Sequence, residues 1–125
     1  MTIEAYFENA QGMGVLSTAD NQGKVNAAVY AKPHVLEDGL LGFIMRDRLT
    51  HHNLQSNPHA AYLFRETGGG YNGRRFHLTK VDEECDTDRV KALCRRCRND
   101  EDTQAVRYLV RFRIDRELPL VGSGD

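Results

Sequence analysis

The sequence predicts a mostly β fold, namely a small, closed antiparallel barrel of six to seven strands with flanking helices. Short apolar runs recur along the chain, and the connections between them are of hairpin length in the first half. The last of these runs alternates cleanly between apolar and charged residues. Hairpin-length connections favour antiparallel pairing over a doubly wound parallel sheet, whose strands need long crossovers.

Length and composition indicate one domain, with residues 1–120 as its predicted span and residues 121–125 as a disordered tail. The chain has 125 residues, 40% of them hydrophobic, and a net charge of −1. This near-neutral charge gives no electrostatic basis for binding nucleic acid or an anionic membrane. No apolar run reaches the roughly 18 residues of a transmembrane helix, and the N-terminus lacks a signal-peptide pattern. We therefore expect a cytoplasmic protein.

The first half of the chain contains a helix and three strands. The helix covers residues 3–10, and the strands cover residues 15–19, residues 25–31 with an extended continuation over 33–37, and residues 40–46. Gly12 and Gly14 are expected to separate the helix from the first strand, because glycine interrupts both kinds of element. Along the second strand, Asn26, Ala28 and Tyr30 recur at every second position and should share one face.

The second half begins with a short helix, for which Thr50 is the expected N-cap and Asn57-Pro58 the end. The predicted strands and loop that follow are strand 59–65, glycine-rich loop 67–73 and strand 76–82. Asp86 or Thr87 can cap a helix with apolar positions Val90, Leu93, Cys94 and Cys97. The final strand directs Tyr108, Val110, Phe112 and Ile114 to one side and Arg107, Arg111, Arg113 and Asp115 to the other.

Three cysteines are an odd number in a chain without a secretion signal, which favours reduced thiols over a disulfide framework. Cys94 and Cys97 have the spacing of a redox or zinc motif. They also fall on the apolar stripe of the predicted helix, where a cysteine acts as a small hydrophobic residue. We therefore predict no disulfide and interpret these two cysteines as core residues.

The segment from Gly42 to Pro58 is the most informative part of the chain, because an apolar strand runs directly into a short helix with Arg46 and Arg48 at the junction. A helix start presents unpaired backbone N–H groups and a partial positive charge, both of which favour an anion. Two arginines nearby would strengthen such a site. The segment predicts a phosphate-binding corner, and a solvated strand end followed by a capped helix is the alternative.

Other polar clusters give weaker signals. His51 and His52 are adjacent on a helix and point about 100° apart, which argues against a shared metal ion. The loop at 68–73 lacks the lysine and Ser/Thr of a P-loop, so it is interpreted as a hairpin loop from which Tyr71, Arg74 and Arg75 could still reach a ligand or a neighbouring subunit. No Ser-His-Asp or Cys-His arrangement can be assembled, so no catalytic residue is named.

The order of three segments resembles the pyridoxamine 5′-phosphate oxidase-like family of flavin-binding split β-barrels. The segments are GVLSTADNQGKVNAAVY (14–30), LLGFIMRDRLTHHNLQSNPHAAYLF (40–64) and GYNGRRFHLTKVDEE (70–84). The resemblance covers nearly the whole chain and implies a homodimer that binds flavin mononucleotide (FMN) at the subunit interface. The chain is shorter than the true oxidases and lacks their C-terminal substrate segment, so the resemblance implies a related FMN-dependent oxidoreductase with a different activity.

The same resemblance implies a set of cofactor-binding residues. The flavin ring would lie along Asn26, Ala27, Ala28 and Val29. The ring and ribityl chain would lie over Phe43, Ile44 and Met45. The phosphate would be held by Arg48, Thr50 and His51. Many relatives carry a lysine where this chain has Thr50 of the Leu49-Thr50 pair, so Arg46 or Arg48 would have to replace it.

Two alternatives from other functional classes remain open at this point. One is a non-catalytic protein that binds or stores flavin or haem on the same barrel, since a single axial histidine suffices for haem. The candidate histidines are His34, His51, His52, His59 and His77. The other is a regulatory or assembly module with an empty pocket, which the missing lysine would permit. The substrate, the electron donor and any protein partner are not indicated by the sequence.

Overall fold

The computed structural model describes residues 2–94 and 105–122. Within these residues the chain forms α1 (Ile3–Asn9), β1 (Gly12–Ala19), β2 (Val25–Val29), β3 (His34–Val35), β4 (Leu41–Arg46), α2 (Leu49–Ser56), β5 (His59–Glu66), β6 (Gly73–Cys85), α3 (Asp88–Leu93) and β7 (Arg107–Pro119). None of these helices has the length and apolar character needed to cross a membrane. Cys97 and residues 123–125 of the predicted tail lie outside the described residues.

All seven strands belong to one antiparallel sheet in the order β2-β1-β5-β6-β7-β4-β3. The two edge strands, β2 and β3, are consecutive along the chain, and only residues 30–33 separate them. A connection of this length spans at most roughly 18 Å, so the two edges of the sheet lie near each other. The sheet is therefore curled into a barrel, as the sequence predicts.

Aromatic side chains fill the interior of the barrel. Phe43 lies 5.0 Å from Tyr62 and 5.8 Å from Phe112 between ring centroids, both in edge-to-face geometry. α1 covers the core with Tyr6 and Phe7, whose side chains are 7% and 4% exposed. Burying a side chain of this size contributes about 1.5–3 kcal/mol, so these residues contribute substantially to stability.

The first strand begins earlier than the sequence predicts, because Gly12 and Gly14 lie inside β1. A Cβ atom on Gly12 would lie 2.0 Å from the backbone oxygen of Arg65, and one on Gly14 would lie 1.9 Å from Oη of Tyr62. The prediction that these glycines separate helix and strand is wrong. They permit the close approach of β5 to β1.

The predicted single extended segment over residues 25–37 is two strands on opposite edges of the sheet. β2 pairs with β1 and β3 pairs with β4, so residues 30–33, here called the connector, cross from one edge to the other. The connector ends in a proline, which cannot donate a ladder hydrogen bond. The Tyr62 hydroxyl lies 3.0 Å from the carbonyl oxygen of Tyr30 and 3.2 Å from that of Ala31, and it fixes the connector to the core.

The helix α2 begins one residue before its predicted cap. Arg48 occupies the N-cap position, so the prediction that Thr50 caps the helix is wrong. β4 ends at Arg46, and the short turn that follows places the helix start closer to the strand than the sequence suggests. Thr50 is instead the second residue of the helix, 4% exposed, and its hydroxyl hydrogen-bonds with Tyr30.

The last strand follows the predicted alternation only in part. Val110 and Phe112 are fully buried as predicted, but Leu109 is buried too and Arg107 is only 6% exposed. β7 pairs with β6 on one side and β4 on the other, and the start of the strand is also covered on both faces. A single-face alternation therefore describes only its later part.

The cysteine prediction is also wrong in one respect. Cys94 is disulfide-bonded and ends α3 as its C-cap, with extended backbone. An odd number of cysteines excludes complete pairing only, and of the two described cysteines Cys85 is a free, exposed thiol. At the start of α3, Thr87 is the cap, which agrees with one of the two predicted choices.

Candidate cofactor site

A cavity of about 520 Å³ lies between the two edges of the sheet. It is bounded by β2, the connector, β4 and the start of α2, with Cys94 and Arg107 contributing from the end of α3 and the start of β7. Its volume is in the range of cavities that hold small-molecule ligands, roughly 300–1,000 Å³.

One wall of the cavity is β2. Three of the predicted cofactor-binding residues, Asn26, Ala28 and Val29, line it. Ala27 does not line the cavity, because side chains alternate between the two faces of β2 and, of its outward positions, only Val29 at the end of the strand reaches the cavity. Ala27 is exposed together with Val25 on the outer face of the sheet.

The floor of the cavity is β4, where Phe43, Ile44 and Met45, all predicted to lie beneath the cofactor, line it. Phe43 and Met45 are 2% and 3% exposed and belong to the barrel core as well. A Cβ atom on the neighbouring Gly42 would lie 2.8 Å from Cδ1 of Leu109, so the strand lies close against β7 at this point. The floor is therefore held rigidly by the core beneath it.

The corner between β4 and α2 forms the polar end of the cavity. Arg46, Arg48 and Thr50 line it, and these are three of the four residues predicted to hold a phosphate. Arg107 joins them because it pairs with Arg46 across the β4–β7 ladder. Arg48 itself is exposed at the N-cap of α2, so its guanidinium is accessible to a ligand.

The start of α2 differs from the other two described helix starts. The hydroxyl of Thr2 accepts a hydrogen bond from the backbone N–H of Ala5 in α1, and that of Thr87 accepts one from Val90 in α3. No side chain accepts such a bond at the start of α2. The first-turn N–H groups of α2 are therefore available to an anion placed at the corner.

The cavity carries positive charge on its lining. Lys32, Arg46, Arg48 and Arg107 line it, and among the described residues no aspartate or glutamate does. Tyr30, also in the lining, packs edge-on against Phe43 with ring centroids 6.0 Å apart. Burial raises the pKa of Tyr30, partly opposed by the hydrogen bond with Thr50 and the charge of Arg48, so its hydroxyl stays protonated.

His51 is not part of this lining, although the sequence places it with the phosphate group. It is 5% exposed, and its Nδ1 lies 2.9 Å from Oδ1 of Asp47. Its Nε2 lies 3.0 Å from Oε2 of Glu83, and its ring stacks on Tyr108 at 3.8 Å between centroids. Both ring nitrogens are thus occupied by protein carboxylates on the side of α2 away from the cavity.

The other predicted clusters also lie away from the cavity. Arg74 pairs with Glu117 and lies over the ring of Tyr6, and Arg75 donates to the backbone oxygen of Pro119. Among the five histidines, only His34 is in the cavity lining. Within residues 2–94 and 105–122, no group of three or more His, Cys, Asp or Glu side chains is arranged to hold a metal ion.

Eight lining residues were not among the predicted site residues, and two of them, Gly42 and Leu49, directly adjoin predicted ones. Tyr30 could have been found, because it continues the inward alternation of Asn26 and Ala28 along β2. The other five could not be found from local patterns, because they approach the cavity only in the folded barrel. These are Ala31, Lys32, His34, Cys94 and Arg107.

Comparison with known proteins identifies the fold through solved structures alone. No protein-family model and no curated protein matches the chain. An FMN-binding protein from Syntrophomonas wolfei subsp. wolfei superposes with a TM-score of 0.73 at 21% identity, covering 96% of this chain and 84% of that one. A Lactobacillus delbrueckii protein proposed to be a pyridoxamine 5′-phosphate oxidase gives 0.65 at 19% identity, with 94% and 93% coverage.

A third similar structure carries the split-barrel description. It is a Shewanella frigidimarina protein proposed to be a flavin reductase, with a TM-score of 0.59 at 10% identity and coverage of 90% of this chain and 68% of that one. A haem-binding protein from Mycobacterium smegmatis has a similar fold at 18% identity. At these identities the likeness establishes the fold, and it confirms the predicted mostly β split barrel and the structural resemblance to the pyridoxamine 5′-phosphate oxidase-like proteins.

Proposed function

We propose that this chain is an FMN-binding flavoprotein that acts as a small oxidoreductase. The observation that carries the proposal is the cavity between β2 and β4, whose apolar floor ends at an uncapped helix start beside Arg48. The fold is shared with proteins named for FMN binding and flavin reduction, which is consistent with this use of the cavity.

The residues of the cavity fit FMN at both of its ends. The phosphate fits the corner, where Arg48, Thr50 and the first-turn N–H groups of α2 would hold it, and Arg46 and Arg107 add positive charge. These arginines take the place of the lysine that many relatives carry. The flavin ring fits the cavity between Ala28 on β2 and the β4 floor, where the lining is largely apolar.

Ligand size supports a useful affinity. FMN has about 31 non-hydrogen atoms, and ligands of that size gain roughly 0.3 kcal/mol per atom. The resulting binding free energy of about 9 kcal/mol corresponds to a sub-micromolar dissociation constant.

When bound, the flavin supplies hydride or electron transfer, while the protein supplies orientation and electrostatics. In this chain β2 and β4 orient the ring, and the corner holds the phosphate. We assign no described residue as a catalytic acid or base. The substrate and electron donor are not part of the proposal, nor is the pyridoxamine 5′-phosphate oxidase activity itself. We retain the prediction of a cytoplasmic protein, which localisation of a tagged chain would check.

We further propose that the protein is a homodimer that covers the cavity mouth. The outer face of β2, β1 and β5 carries an in-register row of Val29, Val15 and Leu63, and Val25 nearby is 82% exposed. Large exposed apolar patches mark interaction surfaces. Val29 is 70% exposed and also lines the cavity, so a second copy seated on this face would border the ligand.

The test of the flavin proposal is the purified protein itself. We expect yellow protein with flavin absorbance, release of FMN on denaturation identified by mass spectrometry, bleaching of the absorbance by NADH or NADPH without oxygen, and return of the absorbance when an electron acceptor is added. Protein that neither carries FMN nor takes it up on reconstitution would contradict the proposal. A Soret band in place of flavin absorbance would identify the haem-binding alternative, for which His34 is the histidine in the lining.

The test of the dimer proposal is Val25→Glu, which puts a charge on the exposed apolar face. We expect a dimer for the wild type and a monomer for the variant by light scattering after size-exclusion chromatography. Val81→Glu on β6 is the matched control, since Val81 is also a half-exposed valine at 50% and is not in the Val29, Val15 and Leu63 row. A monomeric wild type at micromolar concentration would contradict the proposal.

A further inference from the structure

We propose that His51 is a positioning residue for the phosphate end of the cavity. By linking the start of α2 to β6 and β7, it fixes where Arg48 and Thr50 stand. This role rests on the proposed FMN function, and it concerns how the site is held in place. His51 itself does not line the cavity.

The contacts of His51 join three parts of the fold. Nδ1 lies 2.9 Å from Oδ1 of Asp47, in the turn that precedes α2. Nε2 lies 3.0 Å and 3.2 Å from the two carboxylate oxygens of Glu83 on β6. The ring stacks on Tyr108 of β7 with an interplanar angle of 20°. Arg48 lies in sequence between the two ends of the Asp47–His51 link, so this link encloses the N-cap of the helix.

The position of His51 on α2 makes it suited to this task. Adjacent helix residues point about 100° apart, so Thr50 faces the cavity while His51 faces the barrel wall. Further anchors of α2 lie along the helix: Asn53 donates to Oγ1 of Thr18 at 3.1 Å, Leu54 is buried in the core, and Gln55 donates to Oε1 of Glu83 at 3.1 Å. Because no side chain caps α2, we infer that the contacts of His51 hold the outer side of its first turn in place.

Glu83 is the carboxylate partner of the ring on β6, and ionised carboxylates accept hydrogen bonds and do not donate them. Burial disfavours the charged form of Glu83, but hydrogen bonds from Lys80, His51 and Gln55 outweigh this and lower its pKa to about 2. The titratable groups facing the ring are Asp47, Glu83 and Tyr108, with Lys80 beyond Glu83.

The experiment compares FMN with riboflavin, which lacks the phosphate, in His51→Phe. Phenylalanine keeps the ring that stacks on Tyr108 and removes both N–H groups. We expect the FMN dissociation constant to rise about tenfold while that of riboflavin stays within twofold, which is a loss of about 1.4 kcal/mol confined to the phosphate. His52→Phe is the matched control on the exposed neighbouring residue, and both dissociation constants should be unchanged.

Asp47→Asn is the second variant, because the Asp47 side chain is 66% exposed and its replacement should not prevent folding. We expect a smaller loss, about threefold, again for FMN only. The FMN-to-riboflavin affinity ratio is the readout that a merely structural role would not move, because a general loss of structure weakens the binding of both ligands alike.

The outcomes separate the two proposals. Equal losses for FMN and riboflavin, or an unchanged FMN-to-riboflavin affinity ratio in Asp47→Asn, would overturn the positioning role and leave the FMN proposal standing. A wild type that binds riboflavin as tightly as FMN would overturn the positioning role and the assigned phosphate corner together. A wild type that binds neither ligand would overturn the flavin function as well.

Discussion

The starts of α2 and α3 differ in what accepts the hydrogen bonds of their first backbone N–H groups. Both helices leave backbone N–H groups without intrahelical partners. In α3 the hydroxyl of Thr87 accepts the N–H of Val90, whereas at α2 the N-cap is Arg48, and no side chain accepts. The start of α3 is completed by its own sequence, and the start of α2 opens into a cationic cavity.

Because of this difference, the start of α3 contributes to stability, whereas the start of α2 is available for ligand binding. A capped start stabilises its helix in every state of the protein, by about 1 kcal/mol. An uncapped start keeps its donors for a ligand and must be held by other contacts, which here come from His51, Asn53 and Leu54. Substitutions at the two helices should therefore affect different measurements.

The largest expected effect is on ligand affinity in Arg48→Ala. Loss of a charged hydrogen bond to the phosphate costs about 1.5–3 kcal/mol, so the FMN dissociation constant should rise roughly 10- to 100-fold with little change in the melting temperature. Fluorescence titration of the apoprotein measures this. Arg65→Ala, on an exposed arginine of the hairpin end, is the matched control and should bind normally. Full FMN affinity in Arg48→Ala would place the phosphate elsewhere.

The second effect is a loss of stability at acid pH that comes from Glu83, the partner of His51 on β6. The pKa of Glu83 is lowered from its usual 4.5 to about 2, so its contribution to stability is present above pH 4.5 and is lost as the pH falls toward 2. Between pH 6 and 2.5 the wild type should lose about 1–2 kcal/mol more than Glu83→Gln after solvent screening. Urea unfolding across that range measures it.

The matched control for this acid series is Glu37→Gln, because the Glu37 side chain is 89% exposed. That variant should follow the wild-type curve throughout the pH range. Parallel curves for the wild type and Glu83→Gln would show that the anchor of α2 carries no acid-sensitive stability.

The third effect is a loss of stability with no loss of FMN affinity, which is the converse of the Arg48 substitution. Thr87→Ala removes the cap of α3 and should cost about 1 kcal/mol of unfolding free energy, because the N–H of Val90 loses its acceptor. FMN affinity should be unchanged. Thermal melts and titrations on the same preparation measure both quantities. A loss of FMN affinity comparable to that of Arg48→Ala would mean that the two helix starts are not independent.

The smallest expected effect is a gain in FMN affinity. Leu49 lines the cavity at the start of α2 and is 54% exposed, so Leu49→Lys can add a charge there without burying it. FMN affinity should rise about two- to fivefold, and the gain should shrink at high salt. Riboflavin affinity should not change. Val81→Lys, on an exposed valine of β6, is the control for a general charge effect.

The elements of the fold were predictable where local pattern decides them. The helix at α1, the strands β4 and β5 and the end of α2 follow from periodicity and from Asn57-Pro58. The failures lie where tertiary contacts override local preference. Gly12 and Gly14 are typical of a break, but the close approach of β5 makes them strand residues. The crossing of the connector between the sheet edges has no signal in local pattern.

The site was predictable along β2, β4 and the corner, because period-two alternation and a strand-to-helix junction are local patterns. Ala27 was assigned with its neighbours although that alternation places it on the opposite face. His51 was assigned to the phosphate because it adjoins Thr50, and its two carboxylate partners, Asp47 and Glu83, come from the turn and from β6. Arg107 was missed because only the ladder brings it beside Arg46.

The absence of a side chain at Gly14 has a consequence far from β1. The space it leaves is filled by the Tyr62 hydroxyl, which in turn fixes the connector at Tyr30 and Ala31, and these two residues line the cavity. Gly14 therefore acts as a remote determinant of cavity width. Directed evolution that seeks a wider or narrower ligand could begin at Gly14 and Tyr62, two positions that touch no ligand and that a screen restricted to lining residues would omit.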